Sequence, residues 1–325
     1  MRNLFNAVLC TVLLIALWAC NDSRQKEQEE AAAREDSIRA SHGLKVALLP
    51  TLDAFPLMAA QEAGVLDSLQ LNIVLVPFAA QMDCDTALIN GAVDVAMSDV
   101  VHAAWRQYRD SGLYVIGETF NEWKLVINKS QRVRKLSGLK EKILAINRNS
   151  TDEYITYIVG DSLGFADDDM YRPQINDIAL RTSMLLNNQI DGAVLPEPFA
   201  SYAEYEGHTA LYSTAGKELP RGVFMASWRA VNDSTKKQQM QQLIDVYRQG
   251  CQLIEKQGYI RFPQSLSRFN ASQEFTDSLP TLPLMKPLQP LNERHTQQAV
   301  EWLLRKGSIK KNYTGDTLFI HLLKY

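Results

Sequence analysis

The sequence predicts an α/β fold of two lobes, each built on a mainly parallel sheet, joined by two crossovers with a cleft between them. Three observations carry this. Short runs rich in Val, Ile and Leu alternate with helical stretches of about ten residues, the pattern of βαβ units. The alternation restarts after residue 123. Two segments, near 120–123 and 219–222, are placed to carry the chain into a second lobe and back.

The elements follow in order. Residues 44–49 form a first apolar run ended by Pro50, and 56–63 a helix closed by Gly64, a residue suited to a left-handed C-cap. Strands are expected at 71–77, 93–97 and 113–118, with helices at 83–90 and 99–108 between them. In the second unit, 124–128, 143–147, 174–177, 191–195 and 209–213 read as strands. Helices are expected at 151–163 and 178–188. Residues 222–228 are strand-like, 232–257 form a long amphipathic helix, 263–290 are rich in proline, and 293–306 make a final helix.

The composition is that of an ordinary globular chain: 46% apolar and 22% charged over 325 residues. Lys and Arg number 34 against 37 Asp and Glu, a net charge of −3. With neither a basic excess nor a basic cluster, nucleic acid is not an expected partner. Four cysteines are too few for a disulfide scaffold. Cys84, between Asp83 and Asp85, sits where a thiolate is disfavoured, and Cys251 reads as structural; nothing in the sequence demands a bond between them. The five histidines are scattered, and no metalloprotease, Cys-x-x-Cys, nucleophile-elbow or P-loop motif occurs. No catalytic residue, metal or cofactor is therefore expected, and the chain reads as a binding protein, not an enzyme.

The first twenty residues are almost entirely apolar. Arg2, a short apolar core and small residues before Cys20 follow the secretory pattern. The core is too short to span a bilayer comfortably. The run Leu17-Trp18-Ala19-Cys20 resembles a bacterial lipobox, which implies acylation of Cys20 and a site of action outside the cytoplasm, tied to a membrane. Residues 21–41 are rich in Gln, Glu, Arg and Ala and hold one large aliphatic, Ile38, too little apolar surface to offset the entropy of ordering. The expected organisation is a leader at 1–19, a charged lipid-anchored tether at 20–43, one lobe from 44–122 and 218–325, and the other from 123–217.

In open α/β sheets ligands bind beyond the carboxyl ends of strands. After the first strand stand Thr51, Asp53 and Phe55, offering a hydroxyl, a carboxylate and a ring; Thr51 or Asp53 serves equally as a helix cap. Ser98 and Asp99 follow the third strand and can cap the next helix or face the cleft. His102, one turn on, reads as a surface histidine. In the second unit Arg148 precedes Ser150 and Thr151, where Ser150 with Glu153 spells a capping box whose helix end either binds an anion or carbonyl or is simply capped. Glu197 is held between Pro196 and Pro198 at the end of a buried strand. Trp123 adds a second ring.

These segments resemble the bacterial extracytoplasmic solute-binding proteins of the thiamine-precursor, sulfonate and nitrate transport type. The matching pieces are 45–53, the helix end at 59–66, 87–99 with its Gly91-Ala92-Val93-Asp94 step, and 191–199. The resemblance implies the type II periplasmic binding protein fold, a small ligand enclosed by hinge closure, and an ABC permease in the membrane as partner. It places ligand contacts at Thr51, Asp53, Phe55, Ser98, Asp99, Arg148, Ser150, Thr151 and Glu197. Acidic, hydroxyl and aromatic groups dominate the candidates, and no Arg/Lys cluster accompanies them. That chemistry suits a neutral or cationic heteroaromatic such as a pyrimidine. The alternatives are a sulfonate, nitrate or taurine-type solute, or an enzyme on the same fold acting on pyrimidines or menaquinone precursors.

Overall fold

The computed structural model of the chain describes residues 42–277 and 282–320. The leader at 1–19, Cys20 and the tether up to residue 41 lie outside the described residues.

Among the described residues nine strands form two sheets, in which β1 is Leu44–Leu48, β2 Ile73–Pro77, β3 Val95–Asp99 and β4 Leu113–Glu118. The second group is β5 Trp123–Ile127, β6 Leu144–Ala145, β7 Gly192–Pro196 and β8 Thr209–Ser213, and β9 is Gly222–Ser227. One sheet has the order β2-β1-β3-β9-β4 and the other β6-β7-β5-β8. The chain therefore crosses between sheets twice, from Glu118 to Trp123 and from Ser213 to Gly222. Strands β3, β7 and β9 are buried along their whole length, which is why they read as unbroken apolar runs and not as alternating ones.

The sheets are mixed, where the sequence suggested mainly parallel ones. Only β1–β2, β1–β3 and β6–β7 pair in parallel. Strands β3 and β4 pair antiparallel with β9, and β5 pairs antiparallel with β7 and β8. The crossings explain this. Gly222, the first residue of β9, stands opposite Asp99, the last of β3, and Trp123, the first of β5, opposite Pro196, the last of β7. A strand that enters from the other lobe starts at the interlobe end of its sheet and must run away from it. Two further expectations shrink. The strand at 143–147 is only β6, and 174–177 contributes two isolated bridges, Ile146 with Gln174 and Ala80 with Asp177, Pro173 beside them having no N–H for a ladder.

The helices of the first half are α1 Phe55–Glu62, α2 Val65–Ser68, α3 Gln81–Ile89 and α4 Val100–Arg109. Those of the second group are α5 Thr151–Ser162, α6 Ile178–Leu186 and α7 Phe199–Tyr205. After the second crossing come α8 Trp228–Asn232, α9 Ser234–Gln257, α10 Pro263–Ser267, α11 Gln273–Asp277 and α12 Glu293–Arg305. Helix α9, capped by the Asp233 side chain, packs on α1, and α12 packs on α4. The α1–α9 approach depends on Gly250: a Cβ there would lie 1.9 Å from the Pro56 carbonyl oxygen. From Leu44 onward the chain packs as one unit. Its apolar core runs through the first sheet, and a second cluster around Leu125, Ile127, Leu144 and Ile155 fills the other lobe. No helix of the described residues is long and apolar enough to cross a membrane. Cys84 and Cys251 are free, buried thiols, and burial pushes the Cys251 thiol up to about 12.

Candidate functional site

The carboxyl ends of β1, β3 and β7 meet the first crossing around a small interlobe cavity of about 40 Å³. Each wall follows from local structure. Pro50 stops β1 and the chain turns through Thr51–Asp53, which places both residues at the cavity. β3 runs on to Asp99, so Ser98 and Asp99 end a buried strand and face inward as α4 begins. The first crossing supplies Asn121 and Trp123, the loop after β6 supplies Asn147, and α5 and α6 supply Asp152 and Arg181.

Asp53 is 2% exposed, with Oδ2 accepting from Thr119 Oγ1 at 2.9 Å and Oδ1 without a partner among the described residues. The Thr51 hydroxyl sits beside it and reaches no partner at full hydrogen-bond geometry. Burial raises the Asp53 pKa, opposed by the Thr51 and Thr119 hydroxyls. Asp99 Oδ1 accepts from His102 N at 2.9 Å, Thr151 N at 2.9 Å and Thr151 Oγ1 at 3.0 Å. Burial pushes its pKa up to about 6, against the opposing charge of His102. Asp152 is also raised by burial, opposed by Arg181, whose Nη2 lies 2.8 Å from Asp152 Oδ2. Arg181 is 1% exposed, and Nη1 donates to the Ile175 carbonyl at 3.1 Å while Nε has no partner among the described residues. Asn121 Oδ1 and Asn147 Oδ1 are likewise buried and unpartnered. Unsatisfied buried polar atoms are costly, and here they converge on one cavity, the arrangement of a ligand site. Three carboxylates and one guanidinium line it.

Among the residues singled out from the sequence, Thr51, Asp53, Ser98, Asp99 and Trp123 line this cavity. Ser150 and Thr151 stand just behind it. Ser150 Oγ accepts from Asp152 N, and Glu153 Oε2 accepts from Asn149 N instead of Ser150 N, so the capping box is displaced by one residue. Four expectations are corrected. Phe55 turns into the core, 5.1 Å from Tyr259 and 5.8 Å from Phe269 between ring centroids, because it opens α1 on the face that meets the proline-rich segment. Arg148 is exposed and lines a separate groove with Asn149 and His102. The Glu197 carboxylate points away from the cavity, fully buried, where it pairs with Lys124 Nζ at 2.8 Å and accepts from Ser201 N at the start of α7. His102, read as a surface residue, is 2% exposed.

Arg181, Asp152, Asn121 and Asn147 were not anticipated. For Arg181 a signal existed: it shares the helical face of Ile178, Thr182 and Leu185, all buried, and an arginine on an apolar face demands a partner. Asp152 held no such signal, since an acidic first turn is also the ordinary complement of a helix dipole.

No protein-family model matches the chain, and no curated protein is similar to it in sequence. Solved structures are similar in fold. The alkanesulfonate-binding protein SsuA from Xanthomonas axonopodis pv. citri, bound to MOPS, superposes with a TM-score of 0.72 at 18% identity, covering 87% of this chain and 98% of that one. The periplasmic nitrate-binding protein NrtA from Synechocystis PCC 6803 gives 0.69 at 14% identity, covering 83% of each chain. The Candida albicans CA3427 gene product, described as having the generic periplasmic binding protein fold, gives 0.62 at 15% identity, covering 87% and 96%. Two mixed-sheet lobes, two crossings and a cavity at the strand ends make this chain a member of the periplasmic binding protein fold.

Proposed function

We propose that the protein is the substrate-binding component of an ABC importer, which captures a small solute between its lobes and delivers it to a membrane permease. The carrying observation is an interlobe cavity lined by Asp53, Asn121, Asn147 and Arg181, whose Oδ1, Oδ1, Oδ1 and Nε atoms are buried without partners among the described residues. The similarity to sulfonate- and nitrate-binding proteins supports the class of function and leaves the solute open. For the solute we favour a neutral or cationic heteroaromatic of pyrimidine or thiamine-precursor type, since carboxylates outnumber cations on the walls and Trp123 supplies a ring. A sulfonate, nitrate or taurine-type solute is the second reading, favoured by the structural neighbours. The lobe division at 44–122 with 218–325 against 123–217, the acylation of Cys20 and the extracytoplasmic location belong to the same proposal.

Native mass spectrometry of protein purified from its own cells tests the solute. A bound mass of a small nitrogen heterocycle supports the first reading, and a bound sulfonate or nitrate replaces it with the second. Ligand at a hundred times Kd stabilises by about 2.7 kcal/mol, so melting temperature should rise by roughly 5–10 °C. An unchanged melting temperature across solutes of all these classes contradicts the capture reading. For the anchor, Cys20→Ala should release the protein from the membrane fraction and abolish palmitate labelling.

A further inference from the structure

Resting on the capture reading, we propose that Asp53 sets the class of solute: it selects a ligand that presents an N–H donor, an amine or amidine, and turns away oxyanions. Asp53 Oδ1 is buried, lines the cavity and has no partner among the described residues. No Lys or Arg among the described residues lies within ion-pair distance of it, so its negative charge is not answered from within the protein. A carboxylate oxygen accepts and does not donate. In its ionised form only a ligand bringing hydrogen satisfies it, whereas a sulfonate or nitrate brings more acceptors and a like charge.

Asp53 is also unable to withdraw. Its Oδ2 is held by Thr119 Oγ1 in the first crossing, and Thr119 N donates to the Gly222 carbonyl in the second at 2.8 Å. Gly222 leaves no slack: a Cβ there would lie 2.4 Å from Thr119 Oγ1 and 2.5 Å from Asp53 Oδ2. The carboxylate is therefore pinned where the two crossings meet, with one oxygen fixed to the hinge and one turned to the ligand.

The cation on the cavity wall does not offset this. Arg181 already gives Nη2 to Asp152 and Nη1 to the Ile175 carbonyl. Its free Nε takes one acceptor atom of a ligand, not the two parallel bonds with which a guanidinium grips an oxyanion. Asp99 and Asp152 add two further carboxylates to the same walls. The matching ligand carries a donor head toward Asp53 and a single acceptor toward Arg181. An amidine fits in either protonation state. Ionised Asp53 accepts an N–H from an amidinium at Oδ1; protonated on Oδ1, the oxygen not held by Thr119, it donates to a neutral ring nitrogen.

The test is titration calorimetry and thermal shift with four probes, benzamidine, 4-aminopyrimidine, ethanesulfonate and nitrate, on the wild type, Asp53→Asn and Thr119→Val. The expected result is binding of benzamidine or 4-aminopyrimidine and of neither oxyanion. Asp53→Asn should weaken that binding about tenfold or more, as loss of a charge-assisted bond does. Thr119→Val should weaken it about threefold, since it removes only the anchor. Thr119→Val also carries the test should Asp53→Asn fail to melt cooperatively. Equal affinity in wild type and Asp53→Asn overturns the proposal. So does a response to ethanesulfonate or nitrate alone, strengthening below neutral pH, which would leave the importer reading intact. No response to any of the four overturns the assignment of Asp53, while the importer reading is judged separately by the solute that native mass spectrometry finds bound.

Discussion

Two of the places where the lobes meet are built on different principles. At the crossings they are joined covalently and braced by close packing: Thr119 on Gly222, Asp53 on Thr119, and Arg221 stacked over Phe120 at 4.7 Å. At the seam between α4 and α5 they are joined by hydrogen bonds of ionisable groups. Asp99 holds the first residue of α5 through Thr151 N and Oγ1. His102 bridges the lobes, with Nδ1 at 3.2 Å from the Asn149 carbonyl and Nε2 at 2.6 Å from Asp85 Oδ2. Both partners are acceptors, so only the imidazolium completes both bonds. The crossings fix where the lobes are; the seam, beside Tyr154 on Trp302 and Lys306 on Glu153, helps hold them together, and it depends on protons. This is the division that hinge closure requires, a permanent joint at one place and a breakable contact at another.

The variant with the largest expected effect strikes the joint. Gly222→Ala drives a methyl into Thr119 and Asp53, both locked, and should cost about 2–3 kcal/mol at every pH from 5 to 8, read by chemical denaturation. Next comes the seam. Asp99→Ala removes the α4 cap and leaves two Thr151 donors unpaired, a loss of about 2 kcal/mol, while Asp99→Asn keeps the acceptor, removes a buried charge and should lie near wild type at neutral pH. His102→Gln should cost about 1 kcal/mol at pH 5 and less at pH 8.

The pH dependence has a definite sign. His102 faces Asp85 on α3, Arg106 on its own helix, Asp99 at the end of β3 and Asp152 on α5; burial opposes its charge, but Asp85 with Asp99 outweighs it and the pKa is raised. A raised histidine stabilises fully below its unfolded pKa, and that stability is lost as pH rises through the folded value. Asp99, raised to about 6, acts the same way, because its ionised form is disfavoured in the fold. Asp85 is lowered by His102 and Arg106 despite burial, so its contribution is lost only in stronger acid. The melting temperature should therefore fall from pH 5 to pH 8, and the fall should shrink in the double variant Asp99→Asn with His102→Gln. A melting temperature that rises over this range removes the proton-linked seam and leaves the steric joint standing.

The legibility of the sequence divides along the same line. Alternation of apolar runs and helices exposed both lobes and both crossings, because each buried strand is a local signal. Sheet direction was hidden: whether a strand pairs parallel depends on the end at which a crossing delivers it, and Gly222 opposite Asp99 is a tertiary fact. Residues at strand ends, Thr51, Asp53, Ser98 and Asp99, line the cavity the strand-end rule points to, because that rule for open sheets is positional. Phe55 and Glu197 passed that rule and still turned away, Phe55 toward Tyr259 and Glu197 toward Lys124, since direction at a strand end is decided by what packs next to it. Arg181 and Asn147 approach the cavity from a helix face and a loop that no strand-end rule reaches.

The central claim, that these lobes close over a solute, is tested most directly by an interlobe distance. Leu69 and Leu180, about half exposed on opposite lobes, accept spin labels as Leu69→Cys and Leu180→Cys, while Cys84 and Cys251 stay buried and unlabelled. Pulsed electron resonance would compare protein carrying its native solute with protein stripped of it by unfolding and refolding. The account predicts one short distance in the loaded protein and a broader distribution reaching longer distances in the stripped protein. An identical single distance in both would contradict it.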